Sequence, residues 1–158
     1  MTIGAAHPLI SPDQRDFDQI YADFNWHVPT HFNIAESVCD RHSALANDTA
    51  IHYENESGKT AQYSFGQLKT WSNRLANTLA ALGIDEGDRV AIVLPQRLET
   101  GLAHLAIYKR KAIAVPLSGL FGPDALSFRL GDSGAKLVIT DAAHREQIES
   151  LREQVPTI

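Results

Sequence analysis

The sequence predicts an α/β fold: a parallel sheet with flanking helices, preceded by a β-hairpin. Three short apolar runs, Val90 to Leu94, Ala112 to Leu117 and Ala135 to Thr140, alternate with segments of helical period long enough for crossover connections. The runs are continuous rather than alternating, as in strands covered on both faces, and repeated strand–helix–strand units close right-handed parallel sheets. The hairpin is read from "TAIHYENESGKTAQYSF", residues 49–65, which alternates on either side of Ser57 and Gly58.

Taken in order, residues 1–12 carry Pro8 and Pro12 with little pattern and are expected to form an irregular arm. Phe17, Ile20, Tyr21 and Phe24 fall at i, i+3, i+4 and i+7, a helix whose aromatic stripe is expected to pack rather than to hold a cofactor. A second helix is expected from Asn33, with Ile34 and Val38 on one face. After the hairpin, Phe65, Leu68, Leu75, Leu79 and Leu82 share a helical face over 65–82. Ser64 and Gln67 form a capping box at its start and Gly83 stops it. "GIDEGDRVAIVLP" is a turn into the first parallel strand, near 89–94. Leu98, Leu102 and Leu105 mark an amphipathic helix near 97–110, followed by the second strand near 112–116. Pro123 opens a helix near 123–132, the third strand lies near 136–140, and Ile148, Leu151 and Val155 stripe a last helix near 142–153.

Composition excludes several function classes. With 158 residues and 44% hydrophobic content, the chain can bury a core of its own. A formal net charge of -5 gives no footing for a nucleic-acid partner. The basic run Lys109, Arg110, Lys111 is short and reads as a solvated helix end favoured by the macrodipole. A single cysteine, Cys39, rules out an internal disulfide and is expected in or beside the core. The N-terminus lacks the basic and apolar segments of a leader, and no apolar run is long enough to span a bilayer, so a cytoplasmic location is expected.

Ligands of parallel sheets sit beyond the carboxyl ends of the strands. Those ends are Pro95 to Arg97, Leu117 to Gly122 and Thr140 to Ala143. No G-x-G-x-x-G, no G-x-x-x-x-G-K-[ST] and no G-x-S-x-G occurs in the chain. The nearest candidate is "SGLFGPDAL", where Gly119, Gly122 and Pro123 lead into a helix whose N-terminus attracts anions, although Asp124 competes for that positive end. His27 and His31 have the spacing of helical zinc ligands, but Pro29 between them disfavours the helix, and no metal site is assigned. His104 reads as a satisfied or surface histidine. Asp85, Glu86 and Asp88 read as the polar turn before a strand. No residue is assigned a catalytic role.

Three stretches in order, "FNIAESVCDRH", "QYSFGQLKTWSNRLANTLAALGIDEGDRVAIVLPQRLETGLAHLAIYK" and "AIAVPLSGLFGPDALSFRLGDSGAKLVITD", resemble the N-terminal part of the AMP-forming acyl-CoA synthetases. The resemblance to this adenylate-forming superfamily covers residues 33–145 of the chain, and its details look most like the short- and medium-chain acyl-CoA branch. It implies a two-step reaction in the complete enzyme: a fatty or other carboxylic acid and ATP, with magnesium, give an acyl-adenylate and pyrophosphate, and the coenzyme A thiol then takes the acyl group. It implies that residues 13–158 are part of the N-terminal subdomain, that the remainder of the synthetase chain is their partner, and that Gly119, Phe121 and Gly122 line the coenzyme A approach. The family's Pro-Lys-Gly phosphate loop, its aromatic-Gly-x-Thr-Glu motif, its hinge residue and its C-terminal catalytic lysine have no counterpart in these 158 residues. The chain alone is therefore expected to be inactive. A parallel sheet parted from its next strand has an open edge or an uncovered apolar face, so a homodimer is expected unless the helix near 142–153 folds over that face and keeps the chain monomeric. The competing reading is a stand-alone, non-catalytic binding or interaction module derived from such a synthetase. One departure stands at Lys111, where relatives carry glycine just before the strand; it bears on the local turn and not on the fold.

Overall fold

The computed structural model describes residues 16–26 and 28–155, so the arm expected at 1–12 lies outside the described residues. The chain divides into two units, Met1–Phe32 and Asn33–Ile158. In the first, α1 (Phe17–Asp23) begins where the Asp16 carboxylate accepts the Asp18 and Gln19 amides. Its aromatic residues meet one another: Phe17 stacks on Tyr21 at 6.2 Å, and Phe24 meets Trp26 edge-on at 5.1 Å. Phe17 and Tyr21 stay exposed, while Ile20 and Phe24 of the same stripe are half-buried.

In the second unit, α2 (Ile34–Val38) forms after Asn33 as expected, with Ile34 and Val38 on one face, but a different face packs. Ile34 and Val38 are 46% and 53% exposed, and the buried pair is Ala35 and Cys39. Both pairs are spaced i, i+4, and the small pair faces Leu68 and Leu105 in an apolar cluster. A short helix that presses close to its neighbours needs small residues at the contact. Asn33 fixes the approach, donating from Nδ2 to the Tyr108 carbonyl at 2.9 Å.

Strands β1 (Thr49–Glu54) and β2 (Thr60–Ser64) form the expected antiparallel hairpin. Asn55 Oδ1 accepts the Ser57 and Lys59 amides, and Gly58 takes φ 76°, which closes the turn. Helix α3 (Phe65–Ala81) then starts in the expected capping box: Ser64 Oγ accepts the Gln67 amide at 3.3 Å and Gln67 Oε1 accepts the Ser64 amide at 2.9 Å. Leu82, placed on the inner face by its period, is exposed instead because it caps the helix beyond its last turn.

Strands β3 (Arg89–Val93), β4 (Ile113–Leu117) and β5 (Leu137–Thr140) form a parallel sheet in the order β4-β3-β5. Helices α4 (Leu98–Lys109) and α5 (Pro123–Ser133) supply the crossovers, and α6 (Arg145–Ser150) follows β5. The central strand shows why its apolar run is unbroken. Val90 and Ile92 enter a cluster with Leu79, Ala103 and Ile107 on one face, while Ala91 and Val93 enter another with Leu126, Leu130, Ile148 and Leu151 on the opposite face. The Ile148, Leu151, Val155 stripe is buried as expected, although α6 ends at Ser150 and the chain continues in turns.

Helix α4 is not amphipathic. Leu98, Leu102 and Leu105 face a third cluster shared with Ile51 and Tyr63 of the hairpin, while Ala103, Ala106 and Ile107 face the sheet. A helix with apolar residues on two faces is one packed between layers.

Helices α3, α4 and α5 end alike. In each, a residue just past the helix takes positive φ and bonds back by its amide to the carbonyl three residues earlier, and the next amide reaches the carbonyl five residues earlier. The pairs are Gly83 to Ala80 and Ile84 to Leu79, Lys111 to Tyr108 and Ala112 to Ile107, and Gly134 to Gly131 and Ala135 to Leu130. This is the Schellman stop, a position that favours glycine. Lys111 fills it at φ 56°, so the expected glycine site is real and the turn forms regardless.

Candidate functional site

The order β4-β3-β5 places the crevice. β3 passes the chain to α4 on one face, whereas β4 and β5 pass it to α5 and α6 on the other. Neighbouring strands whose outgoing segments part to opposite faces leave an opening at their carboxyl ends. Thr140 Oγ1 closes its base by donating to the Val93 carbonyl at 3.1 Å.

On the β3 side, Arg97 holds Glu99 through hydrogen bonds of 2.6 and 2.9 Å. Those bonds push the Glu99 carboxyl below its ordinary range and, with a further pull from Asp141, raise the Arg97 guanidinium. Thr100 Oγ1 donates to the Pro95 carbonyl at 2.6 Å.

On the β4 side runs the candidate segment. Leu120 is 96% exposed at its tip, and the segment's own hydrogen bonds are long: the Phe121 amide to the Ser118 carbonyl and the Leu120 amide to Ser118 Oγ, both 3.2 Å. Phe121 packs against the α5–α6 cluster with the Arg129 guanidinium 4.3 Å from its ring centroid, and its carbonyl accepts Gln147 Nε2 at 3.0 Å. Gly119 abuts an imidazole: a Cβ there would lie 2.5 Å from His144 Nε2 and 3.0 Å from Cε1. Gly122 is the N-cap of α5, where a Cβ would meet nothing within 4 Å. Asp124 lies exposed in the first turn of that helix. Of the three residues singled out, Gly119 and Phe121 are thus tied to neighbours and Gly122 is open.

On the β5 side, Asp141 Oδ1 meets His144 Nδ1 at 2.7 Å and accepts the His144 amide at 3.2 Å. The imidazole contact is the main reason that the Asp141 carboxyl lies below its ordinary range. The expected strand-end segment stops at Ala143, one residue short of this histidine; the D-x-x-H spacing directly after a strand is the signal that reaches it.

The remaining candidates serve structure. Asp88 is buried at the opposite end of the strands, pairing with Lys136 at 2.6 Å and accepting the Asp85 amide at 2.9 Å, which makes the Asp85–Asp88 stretch the polar turn expected. The basic run is committed to local partners: Lys109 to Asp40 and Asn73, Arg110 to the Ile84 carbonyl and Asp85, Lys111 to Glu86. His104 is half-buried with Nδ1 3.1 Å from the Tyr108 hydroxyl, and burial lowers its pKa. Cys39 is buried, and that burial pushes its thiol up. His27 lies outside the described residues, and among the described residues no group of three or more His, Cys, Asp or Glu could hold a metal ion. No described helix is long and apolar enough to cross a membrane. A groove of about 670 Å³ lies between α2, α3 and α4, lined by Glu36, Asp40, Lys69, Asn73 and Lys109. It is away from the strand ends, and the Lys109–Asp40 pair already bridges it.

The AMP-binding enzyme family model matches residues 39–158. The acetyl-coenzyme A synthetase of Streptomyces coelicolor is 39% identical over 123 residues, 76% of this chain and 19% of that protein. The acetyl-coenzyme A synthetase of Xanthobacter autotrophicus is 33% identical over 135 residues, 84% and 21% of the two chains. The crystal structure of a Brucella canis acyl-CoA synthetase is similar with a TM-score of 0.80 at 32% identity, over 85% of this chain and 26% of that one. The inhibitor-bound N-terminal domain of FACL13 from Mycobacterium tuberculosis is similar with a TM-score of 0.70 at 29% identity, over 81% and 32%. The chain spans about a fifth of the length of the curated relatives it matches.

Proposed function

The chain belongs to the AMP-binding enzyme family, and from that premise we propose that it is the N-terminal part of a cytoplasmic AMP-forming acyl-CoA synthetase. The complete enzyme activates a short- or medium-chain carboxylic acid as its acyl-adenylate and passes the acyl group to coenzyme A. One observation carries this reading: the chain aligns over 76% of its length with an acetyl-coenzyme A synthetase and folds over 85% of its length like an acyl-CoA synthetase. In the complete enzyme this portion is scaffold and one wall. Its carboxyl-end segments, Gly119, Phe121 and Gly122 among them, line the approach of coenzyme A. Bound magnesium would neutralise phosphate charge; among the described residues no group of three or more His, Cys, Asp or Glu comes together to hold it.

By itself the chain supplies no lysine and phosphate-loop constellation to stabilise charge in the transition state, so it is inactive. Alone, it pairs with a second copy through an open strand edge. The test has two parts. The purified 158-residue chain, given ATP, magnesium, coenzyme A and a panel of acids, should release no acid-dependent pyrophosphate; turnover would overturn the assignment of chemistry to the rest of a synthetase. The reading frame past Ile158 should continue into a Gly-rich Pro-Lys-Gly loop, whereas a stop codon there favours a stand-alone module.

A further inference from the structure

Gly119 has no left-handed φ, so backbone conformation does not explain why it is glycine. Space does. The tip of the His144 ring fills the volume a side chain would need, with Nε2, Cε1 and Cδ2 all within 3.3 Å of a Cβ position. The ring is itself held, since Nδ1 and the backbone amide of His144 both bond to Asp141. Three residues further on, Gln147 holds the Phe121 carbonyl. The segment leaving β4 has only two long hydrogen bonds of its own, and its order comes from the stretch that follows β5.

We propose that His144, oriented by Asp141, is a positioning residue that fixes the Ser118–Gly122 segment for its ligand. The ligand part rests on the reading of this segment as the coenzyme A approach; the positioning part does not. The same geometry separates the two glycines: a side chain at Gly119 displaces the imidazole, and one at Gly122 displaces nothing.

Amide exchange and proton NMR on the 158-residue chain test the positioning. His144→Ala should move the Gly119 α-proton resonances by loss of the ring current and speed exchange at Leu120 and Phe121 about tenfold, with the hairpin unchanged. Gly119→Ala should loosen the segment similarly, yet add nothing in the His144→Ala background, because the vacated space accepts the methyl group; two groups in contact are non-additive in this way. Independent, additive effects, or an unchanged segment in His144→Ala, overturn the proposal. His144→Asn keeps a donor for Asp141 but not the reach to Gly119, and carries the test should the alanine variant fail to fold. In a complete enzyme, His144→Asn should raise the KM for coenzyme A about five- to tenfold and that for ATP less. A loosened segment with unchanged coenzyme A kinetics leaves the positioning in place and overturns the coenzyme A reading.

Discussion

Lys111 holds a left-handed backbone conformation that costs an L-residue roughly 1–2 kcal/mol and costs glycine almost nothing. Its side chain recovers little, because the ion pair with Glu86 at 3.0 Å is about two-thirds exposed on both sides. Lys111→Gly should therefore raise stability by up to about 1 kcal/mol after the flexibility of glycine in the unfolded chain is counted. A urea midpoint that falls instead would show that the pair with Glu86 outweighs the strain. Asp88 makes a prediction in pH. The hydrogen bond from Lys136, followed by that from the Asp85 amide, holds its carboxyl below the ordinary value. A depressed carboxyl contributes stability in full above its unfolded pKa of about 3.9 and loses it as pH falls through the lower folded value. In Asp88→Asn the stability curve should be flatter from about pH 5 downward. Acid-unfolding profiles that superimpose for the two proteins would remove Asp88 from the account.

At the scale of the element, α3 has the clearest start in the chain. Ser64→Ala removes the acceptor for the Gln67 amide and should cost about 1 kcal/mol in chemical denaturation; no change would mean that water replaces the cap. The capping box, the hairpin turn at Gly58 and the three parallel strands were legible because each is written in residues adjacent in sequence, although only β3 is buried as its apolar run predicts: Ile113 of β4 is 51% exposed and β5 is half-buried, because both are edge strands. The faces of α2 and α4 were not. Residue size favours Ile34 and Val38 over Ala35 and Cys39, yet close helix contact selects the smaller pair, and one stripe of leucines on α4 conceals a second stripe of alanines. The candidate site was legible only in part. Strand ends could be located from period alone, but the meeting of Gly119 with His144 joins segments that follow different strands, and no local spacing encodes it.

For the whole molecule, both sheet faces are covered, by α3 and α4 on one and by α5 and α6 on the other. What stays open is the backbone: among the described residues β4 and β5 each pair only with β3. The two edges are unequal. Ile113 donates its amide to Asp88 at 2.7 Å, and since amides alternate along a strand, Pro116 falls on the outward side of β4, where it offers no donor. β5 carries no proline, so it is the edge open to another strand. The isolated chain should therefore dimerise through β5 about a two-fold axis. Light scattering that gives a monomer mass throughout the micromolar range would refute this. The Schellman stops after α3, α4 and α5 have a consequence of their own. All three lie where helices feed the strands, at the rim remote from the crevice. Damage there undoes the fold, while change at the other rim alters only what the segments between strand and helix hold. A lineage diverging toward new ligands is thus free to vary one rim of this sheet and obliged to keep the other.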